Sequence, residues 1–187
     1  MKPSLNDRKM LALADILDST AIRPRIIIET GTLRGELAVR LPALFPIVHT
    51  IELSKELYDR HPDDDRVCWH CGDSRTWLRE LDFQEPVLFY LDAHYFNLPK
   101  HPQHSAGVVG AYDFPLWLEL DIIAKRPFAD VVVVDDVHSF ATERGDDYGD
   151  WQNVTPESLA ARLGRVTQQR TVDDMHAMWR SPCVLPA

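Results

Sequence analysis

The stretch Arg25-Ile-Ile-Ile-Glu-Thr-Gly-Thr-Leu-Arg-Gly35 decides the fold of this chain. Its apolar run ends in an acid, and two glycines follow that acid, four positions apart. A second mostly apolar run, Ile47–Ile51, leads to another acid, Glu52, which lies twenty-one residues beyond Gly31. Strand, glycine-bearing turn, helix, strand and acid is the order of a nucleotide-binding βαβ unit. In such a unit the turn glycines let the backbone come close to a ligand, and the second acid accepts hydrogen bonds from ribose hydroxyls.

The details of this turn favour one kind of nucleotide. The glycine spacing is not the Gly-x-Gly-x-x-Gly of dinucleotide sites, and Glu29 lies where a pyrophosphate would approach. A carboxylate repels a pyrophosphate but attracts the ammonium group of S-adenosylmethionine. The turn therefore indicates a methyl donor rather than a dinucleotide.

Composition narrows the class of protein. The chain has 187 residues, which suits a single domain over 1–187, and 45% of them are hydrophobic. With 20 basic and 29 acidic residues the formal net charge is −9, which argues against a nucleic-acid partner because phosphate binding needs a basic surface. No apolar run of about 18 residues is present to span a membrane, and Met1–Lys9 leads into an amphipathic pattern rather than a signal-peptide core. We therefore expect a cytoplasmic protein.

Apolar runs alternate with helical patterns along the chain, which is typical of βαβ units and a parallel sheet. The pattern predicts strands at Arg25–Glu29, Ile47–Glu52, Arg66–His70, Pro86–Leu91 and Ala129–Asp135, with the last strand or strands in Val172–Val184. It predicts helices at Met10–Leu17, Leu33–Leu41, Lys55–Arg60, Arg75–Leu81, Pro115–Lys125 and Pro156–Leu163. Two long loops, Phe96–Tyr112 and Ser139–Asn153, follow the fourth and fifth strands, at the edge where open α/β sheets bind ligands.

Acidic and histidine side chains follow the fourth and fifth predicted strands. Asp92 and His94 end one strand, and Asp135, Asp136 and His138 end the other. If the two strands are neighbours, three carboxylates and two imidazoles meet at one rim of the sheet. An aspartate at a strand end can instead simply cap the next helix or close a turn.

Three close carboxylates repel one another, so a cation or raised pKa values should accompany them. A hard divalent cation would satisfy Asp92, Asp135 and Asp136 together. His94, or as a second choice His138, could then remove a proton from a substrate hydroxyl.

With these residues assembled, the chain resembles the class I S-adenosylmethionine-dependent methyltransferases over nearly its whole length. Ile28–Gly35 is similar to their first motif, Glu52 to their ribose-binding acid and Asp73 to their adenine-side acid, while Asp92 falls at their fourth motif. From spacing alone, Asp73 is equally suited to capping the helix that follows it. The resemblance implies a Rossmann-like, doubly wound α/β fold with a mostly parallel sheet of about seven strands.

Three shorter segments are similar to a group of small bacterial methyltransferases. Leu91-Asp-Ala-His-Tyr95, Leu118-Glu-Leu120 and Val133-Val-Asp-Asp-Val-His138 match that group's Leu-Asp-Gly/Ala-His, Glu-Leu and Ile-Asp-Asp patterns. Catechol-type and sugar O-methyltransferases with a related arrangement hold Mg²⁺ with an Asp after the fourth strand and an acid pair or Asp-Asn after the fifth. The resemblance therefore implies metal ligation by Asp92, Asp135 and Asp136, although the catechol type has Asp-Asn where this chain has Asp-Asp.

The expected function is methyl transfer from S-adenosylmethionine to a small molecule, above all to a hydroxyl, with Mg²⁺ as the candidate assisting ion. A metal-dependent hydrolase and a non-catalytic nucleotide-binding module are the alternatives. Many enzymes of this kind form homodimers, but nothing in the sequence specifies an interface; no nucleic-acid or membrane partner is expected. The expected catalytic residues are His94, Asp92 and His138. The expected donor-binding residues are Glu29, Gly31, Thr32, Gly35, Glu52, Leu53, Asp73 and Asp92.

Overall fold

A computed structural model describes residues 3–94, 114–142 and 151–181. The helices are α1 Leu5–Ser19, α2 Lys55–Tyr58, α3 Ser74–Glu80, α4 Leu116–Ile123 and α5 Pro156–Leu163, with 3₁₀ helices at Ala38–Ala43 and Val137–Ser139. The strands are β1 Ile26–Thr30, β2 Ile47–Glu52, β3 Val67–Cys71, β4 Val87–Leu91, β5 Val131–Val134, β6 Gln168–Val172 and β7 Met175–Trp179.

The seven strands form one sheet in the order β3-β2-β1-β4-β5-β7-β6. The first five strands in this order are mutually parallel, whereas β7 runs antiparallel to both β5 and β6. This confirms the predicted Rossmann-like, mostly parallel sheet. The strand order reverses between β1 and β4, and in such sheets ligands bind at the carboxyl ends of the strands beside that reversal.

Helices cover both faces of the sheet. On one face, α1 buries Leu13 and Ile16 in a core cluster that also contains Ile27, Leu88 and Val131 from the central strands. On the other face, α3, α4 and α5 cover a second cluster. Because side chains alternate along a strand, residues 27 and 29 of β1 share the face that α1 covers. The Glu29 side chain, at the end of β1, therefore lies on the face of the sheet that α1 covers.

The predicted helix Leu33–Leu41 is wrong. The backbone is left-handed at Leu33 (φ 54°) and Gly35 (φ 73°), which an α-helix cannot accommodate, and only the 3₁₀ helix Ala38–Ala43 follows. Leu33 is exposed and is not part of a core stripe. Pro42 lies inside the 3₁₀ helix.

Other boundaries differ less. The first helix begins at Leu5 rather than Met10, because Ser4 and Asp7 form a capping box at its start. The C-terminal tail was predicted only from Val172, so β6 was missed: its first four residues are exposed and lack the apolar pattern of a buried strand. Within the described residues, no helix is long and apolar enough to cross a membrane.

Candidate active site

The carboxyl ends of β1, β4 and β5 meet at one rim. The backbone amide of Asp92 donates to the Thr30 carbonyl (3.0 Å), and that of Asp135 donates to the Leu91 carbonyl (3.1 Å). The parallel ladder thus continues one residue past β4 and β5 and sets the two aspartates side by side. The predicted convergence of the two strand ends is present.

A lysine that the sequence analysis did not single out lies between these aspartates. The Lys9 ammonium of α1 is 3.2 Å from Asp92 Oδ2 and also contacts Asp135 Oδ2. The Tyr90 hydroxyl donates to the same Asp135 oxygen (2.7 Å). The Lys9 side chain is only 16% exposed and that of Asp135 only 1%. We call Lys9, Tyr90, Asp92 and Asp135 the Lys9 cluster.

The charge states of this cluster follow from burial and mutual attraction. Burial alone would lower the pKa of Lys9, but the charges of Asp92 and Asp135 outweigh it and hold that pKa above its ordinary value. Burial and the charge of Asp135 raise the pKa of Asp92 well above its ordinary value, and Lys9 opposes this. Burial and the same carboxylate raise the pKa of Tyr90. At neutral pH Lys9 is therefore a cation and Tyr90 a neutral donor.

His94 is the imidazole at the centre of the rim. Its Nε2 lies 3.2 Å from Asp136 Oδ2 and its Nδ1 lies 3.8 Å from Asp92 Oδ1. Its ring meets the buried Trp151 ring edge-on, with centroids 5.4 Å apart. Burial lowers the pKa of His94, although the neighbouring acids Asp136 and Asp135 act in the opposite direction. A neutral, acid-flanked imidazole can accept a proton.

His138 lies further out. Its side chain is 53% exposed, and its Nδ1 is 2.6 Å from Asp174 Oδ2 and 3.9 Å from Asp136 Oδ1. Its backbone amide also donates to Asp174 (2.8 Å). His138 is therefore already engaged by Asp174, whereas His94 faces the rim.

The Mg²⁺ site of Asp92, Asp135 and Asp136 stays a prediction, and the lysine between two of these acids argues against it. Among the described residues, one group whose ligand atoms lie within 4.8 Å of one another combines Asp92, His94 and Asp136, and Asp135 is in no such group. One oxygen of Asp135 is taken by Lys9 and Tyr90. A histidine nitrogen in place of a carboxylate also suits Mg²⁺ poorly, since Mg²⁺ prefers oxygen ligands.

Glu29 is buried at the end of β1 and accepts a hydrogen bond from the Thr50 hydroxyl, which also bonds to that of Thr32. Burial raises the pKa of Glu29 to about 7, and the Thr50 hydrogen bond and the Lys9 charge act against that rise. Glu29 can therefore change its charge near neutral pH when a cationic ligand approaches.

Glu52 is buried at the end of β2, next to β1. Its Oε2 accepts from the Leu33 amide and its Oε1 accepts from the Ser54 amide, both at 2.8 Å. Burial raises its pKa, while these backbone hydrogen bonds lower it. Each carboxylate oxygen has two acceptor sites, so Glu52 can orient the glycine turn and still accept from a ligand. Leu53 beside it is 38% exposed.

Other parts of the protein lie close to the two turn glycines and leave no room for a side chain there. A Cβ on Gly31 would lie 2.5 Å from the Asp92 carbonyl oxygen, and one on Gly35 would lie 2.7 Å from the Trp69 ring. The amides of Gly31 and Thr32 both donate to the Ile51 carbonyl. Close packing of the protein therefore already requires both glycines, and their contact with a ligand stays a prediction.

Asp73 caps α3. Its Oδ1 accepts from the Arg75 amide (2.8 Å), and its carboxylate pairs with the Arg75 guanidinium, which lowers its pKa. Asp73 therefore caps the helix that follows it, which is one of the two roles that the sequence allowed. A contact with adenine stays a prediction.

Glu119 on α4 is a further buried acid that the sequence analysis gave no chemical role. It has no exposed surface, and burial raises its pKa to about 7. Ser74 and Thr30 lie close enough to oppose that rise. Neither forms a hydrogen bond of ordinary geometry with Glu119, so both carboxyl oxygens lack a partner among the described residues.

The two long loops predicted beside the site are only partly among the described residues. Residues 96–112 of the first long loop, together with residues 143–150 of the second, lie outside the described residues. Trp151 at the end of the second loop is buried and packs against Phe114, Phe140 and His94.

Comparison with solved structures identifies the fold. One similar structure is the O-methyltransferase TomG from Streptomyces achromogenes, which is involved in tomaymycin synthesis and was solved with S-adenosylmethionine. Its sequence is 21% identical to this chain, the alignment covers 97% of this chain and 82% of TomG, and the TM-score is 0.54. The Bacillus cereus O-methyltransferase solved with S-adenosylhomocysteine is 19% identical, with 96% and 83% covered and a TM-score of 0.55. The 23S rRNA methyltransferase ErmE is 18% identical, with 96% and 71% covered and a TM-score of 0.52.

The fold is that of the S-adenosylmethionine-dependent methyltransferases. This methyltransferase fold agrees with the resemblance carried by the first motif, and it extends over nearly the whole chain. No family model matches the sequence, and a search of curated proteins gives no significant match. The methyltransferase fold serves both small-molecule and RNA substrates, so the acceptor depends on the residues of the site and not on the fold.

Proposed function

We propose that this protein transfers a methyl group from S-adenosylmethionine to a hydroxyl of a small molecule. The observation that carries the proposal is the adjacency of two kinds of group at one rim. Buried acids suited to the donor, Glu29 and Glu52, end neighbouring strands, and the acid-flanked His94 lies just beyond the adjacent β4. Two solved proteins with this fold hold the donor or its demethylated product.

Each donor group has a matching side chain. Glu52 accepts from the ribose hydroxyls, and Glu29 with Asp92 attracts the ammonium group. Asp73 lies on the adenine side. The donor lies against Gly31, Thr32, Gly35 and Leu53 of the two strand ends.

When bound, S-adenosylmethionine supplies a methyl group on a positively charged sulfur. The acceptor oxygen forms a bond to the methyl carbon while the carbon–sulfur bond breaks, and its electron pair goes to sulfur. His94 takes the proton from the acceptor hydroxyl, and Asp136 beside its Nε2 stabilises the imidazolium that forms. Holding oxygen, carbon and sulfur in line supplies much of the acceleration.

The proposed acceptor is a small molecule rather than RNA, because the net charge of −9 opposes phosphate binding. The buried Trp151 ring packs edge-on against the His94 ring and helps to fix the orientation of the proposed base. A cytoplasmic location and a homodimer remain predictions. The metal-dependent hydrolase stays the second candidate, because Asp92, His94 and Asp136 offer ligand atoms that lie within 4.8 Å of one another.

The test incubates the protein with S-adenosylmethionine and a panel of catechols, sugars and hydroxy acids, and a parallel reaction contains RNA as the acceptor. The amount of S-adenosylhomocysteine formed measures methyl transfer in each reaction. We expect product with a small hydroxylated acceptor, and a His94→Gln variant should lose roughly 10²–10⁴-fold in kcat with little change in the donor KM. Product with RNA alone would refute the acceptor class. Loss in His138→Gln but not in His94→Gln would refute the assignment of the base.

A further inference from the structure

We propose that the Lys9 ammonium takes the place of a divalent cation at the rim, so that the site works without a metal. In catechol-type sites a metal ion joins the acids after the fourth and fifth strands, and here Lys9 joins Asp92 to Asp135. The inference names a positioning residue for the proposed methyl transfer. Its cation role does not depend on that function.

The contacts of Lys9 are those of a built-in counter-ion. One ammonium nitrogen contacts a carboxylate oxygen from each strand end, and it lies 5.7 Å from the centroid of the Tyr90 ring. Tyr90 completes the cluster by donating to the Asp135 oxygen that Lys9 contacts. With these partners in place, Asp135 Oδ2 is engaged by Lys9 and Tyr90, and only the buried Oδ1 of Asp135 lacks a partner among the described residues.

Helix α1 holds Lys9 in this position. Ala12, Leu13 and Ile16 form the buried stripe of α1, and Lys9 lies three and four residues before the first two, so it points into the same face. Asp15 pairs with Arg170 of β6 at 2.7 Å and fixes the helix against the sheet.

The charge of the rim requires a cation. Lys9 contacts both Asp92 and Asp135, and the His94 ring lies 3.8 Å from Asp92 and 3.2 Å from Asp136, so the three carboxylates lie close together. One Lys9 charge offsets part of this repulsion without the coordination shell that a metal needs. A single ammonium engaged by two carboxylates does not bind the acceptor oxygen as a metal would. His94 then carries the proton transfer alone.

The test removes the charge and asks whether Mg²⁺ fills its place. For the wild type, millimolar MgCl₂ or EDTA should leave both the melting temperature and the donor Kd unchanged. Lys9→Met keeps the length of the side chain but leaves two buried carboxylates unpaired, so its melting temperature should fall. MgCl₂ should then raise that temperature, and calorimetry should give a Mg²⁺ Kd at least about tenfold tighter than in the wild type, because an uncompensated buried charge favours any cation.

Two further variants make the result specific. Arg8→Gln removes one positive charge from the same helix at a side chain that is half exposed and pairs only with Asp173 among the described residues, so it should show no response to Mg²⁺. Lys9→Met/Asp135→Asn also removes one of the two carboxylates that Lys9 contacts, the more deeply buried one. It should regain part of the lost melting temperature and lose the Mg²⁺ response, and it keeps the test valid if Lys9→Met alone does not fold.

The proposal is overturned if the wild type binds Mg²⁺ at micromolar concentration and melts higher with it. It is also overturned if Lys9→Met responds to Mg²⁺ no more than Arg8→Gln does. Failure of the wild type to bind S-adenosylmethionine would refute the proposed function, but the Mg²⁺ response of Lys9→Met would remain a separate result.

Discussion

Two buried acids, Glu29 and Glu52, lie at the ends of the adjacent strands β1 and β2 and have different neighbours. Glu29 lies on the side of Lys9 and Asp135, where the ammonium group of the donor lies in the proposed pose. Glu52 holds the turn amide of Leu33 on the other side, where the ribose lies in the proposed pose. The two acids should therefore respond differently to ligands that lack one part of the donor.

Binding of S-adenosylmethionine and of methylthioadenosine, which has the ribose but no amino-acid group, separates these roles. Glu52→Gln should weaken both ligands by roughly ten- to a hundredfold, the range expected for hydrogen bonds to a charged group. Glu29→Gln should weaken S-adenosylmethionine by a similar factor and leave methylthioadenosine nearly unchanged. Equal losses for both ligands in both variants, measured by titration calorimetry, would show that the donor is oriented differently.

Glu119 makes the stability of the protein depend on pH. Its pKa is about 7 in the folded protein against an ordinary 4.5, so the folded state holds the proton more tightly than the unfolded chain does. The group therefore leaves folding unaffected below about pH 4.5 and increasingly destabilises the protein as the pH rises towards 7 and above.

We expect Glu119→Gln, which is neutral at every pH, to raise the free energy of unfolding by roughly 2–3 kcal/mol at pH 8 and by much less at pH 5. Urea denaturation at the two pH values measures this difference. Glu80→Gln on the exposed side of α3 is the matched control and should give no such pH-dependent gain. A gain of equal size at both pH values would mean that the charge of Glu119 is not its cause.

At the scale of elements, the βαβ unit around β1 was predictable and its turn was not. The buried run Ile26–Ile28 and the acid that ends β2 identify the two strands, because burial on both faces leaves a continuous apolar pattern. Leu33–Leu41 has helical spacing, yet tertiary packing overrides it. The left-handed Leu33 lets its amide reach Glu52, and Gly35 packs on Trp69. Neither contact can be inferred from local sequence.

Lys9 was missed for a related reason. The predicted first helix began at Met10, so Lys9 fell outside it and its alignment with the buried stripe of Ala12, Leu13 and Ile16 was not considered. A lysine on the buried side of a helix is the signal that could have found it, because such a cation needs an acidic partner. The identity of that partner depends on how α1 packs on the sheet.

The turn itself is open to test. Gly31→Ala should destabilise the protein by more than the roughly 1–2 kcal/mol that a left-handed residue alone costs, because its methyl group would meet the Asp92 backbone at 2.5 Å. Gly164→Ala is the matched control, since Gly164 is also left-handed (φ 67°) but has open space around it. Equal losses in denaturant midpoint for the two variants would contradict the close approach of β1 to β4.

At the scale of the whole molecule, the residues proposed to bind the donor lie on β1 and β2 and those proposed to act on the acceptor follow β4 and β5, on either side of the strand-order reversal. Helix α1 places the Lys9 ammonium between the aspartates that follow β4 and β5. The acidic balance of the chain, with a net charge of −9, is consistent with a small acceptor rather than a nucleic acid.

Titration calorimetry of the wild-type protein with S-adenosylmethionine tests the central claim most directly. The proposed function predicts saturable one-to-one binding that Glu52→Gln weakens. Absence of binding at millimolar donor, or binding of unchanged strength in Glu52→Gln, would contradict a donor site at the ends of β1 and β2.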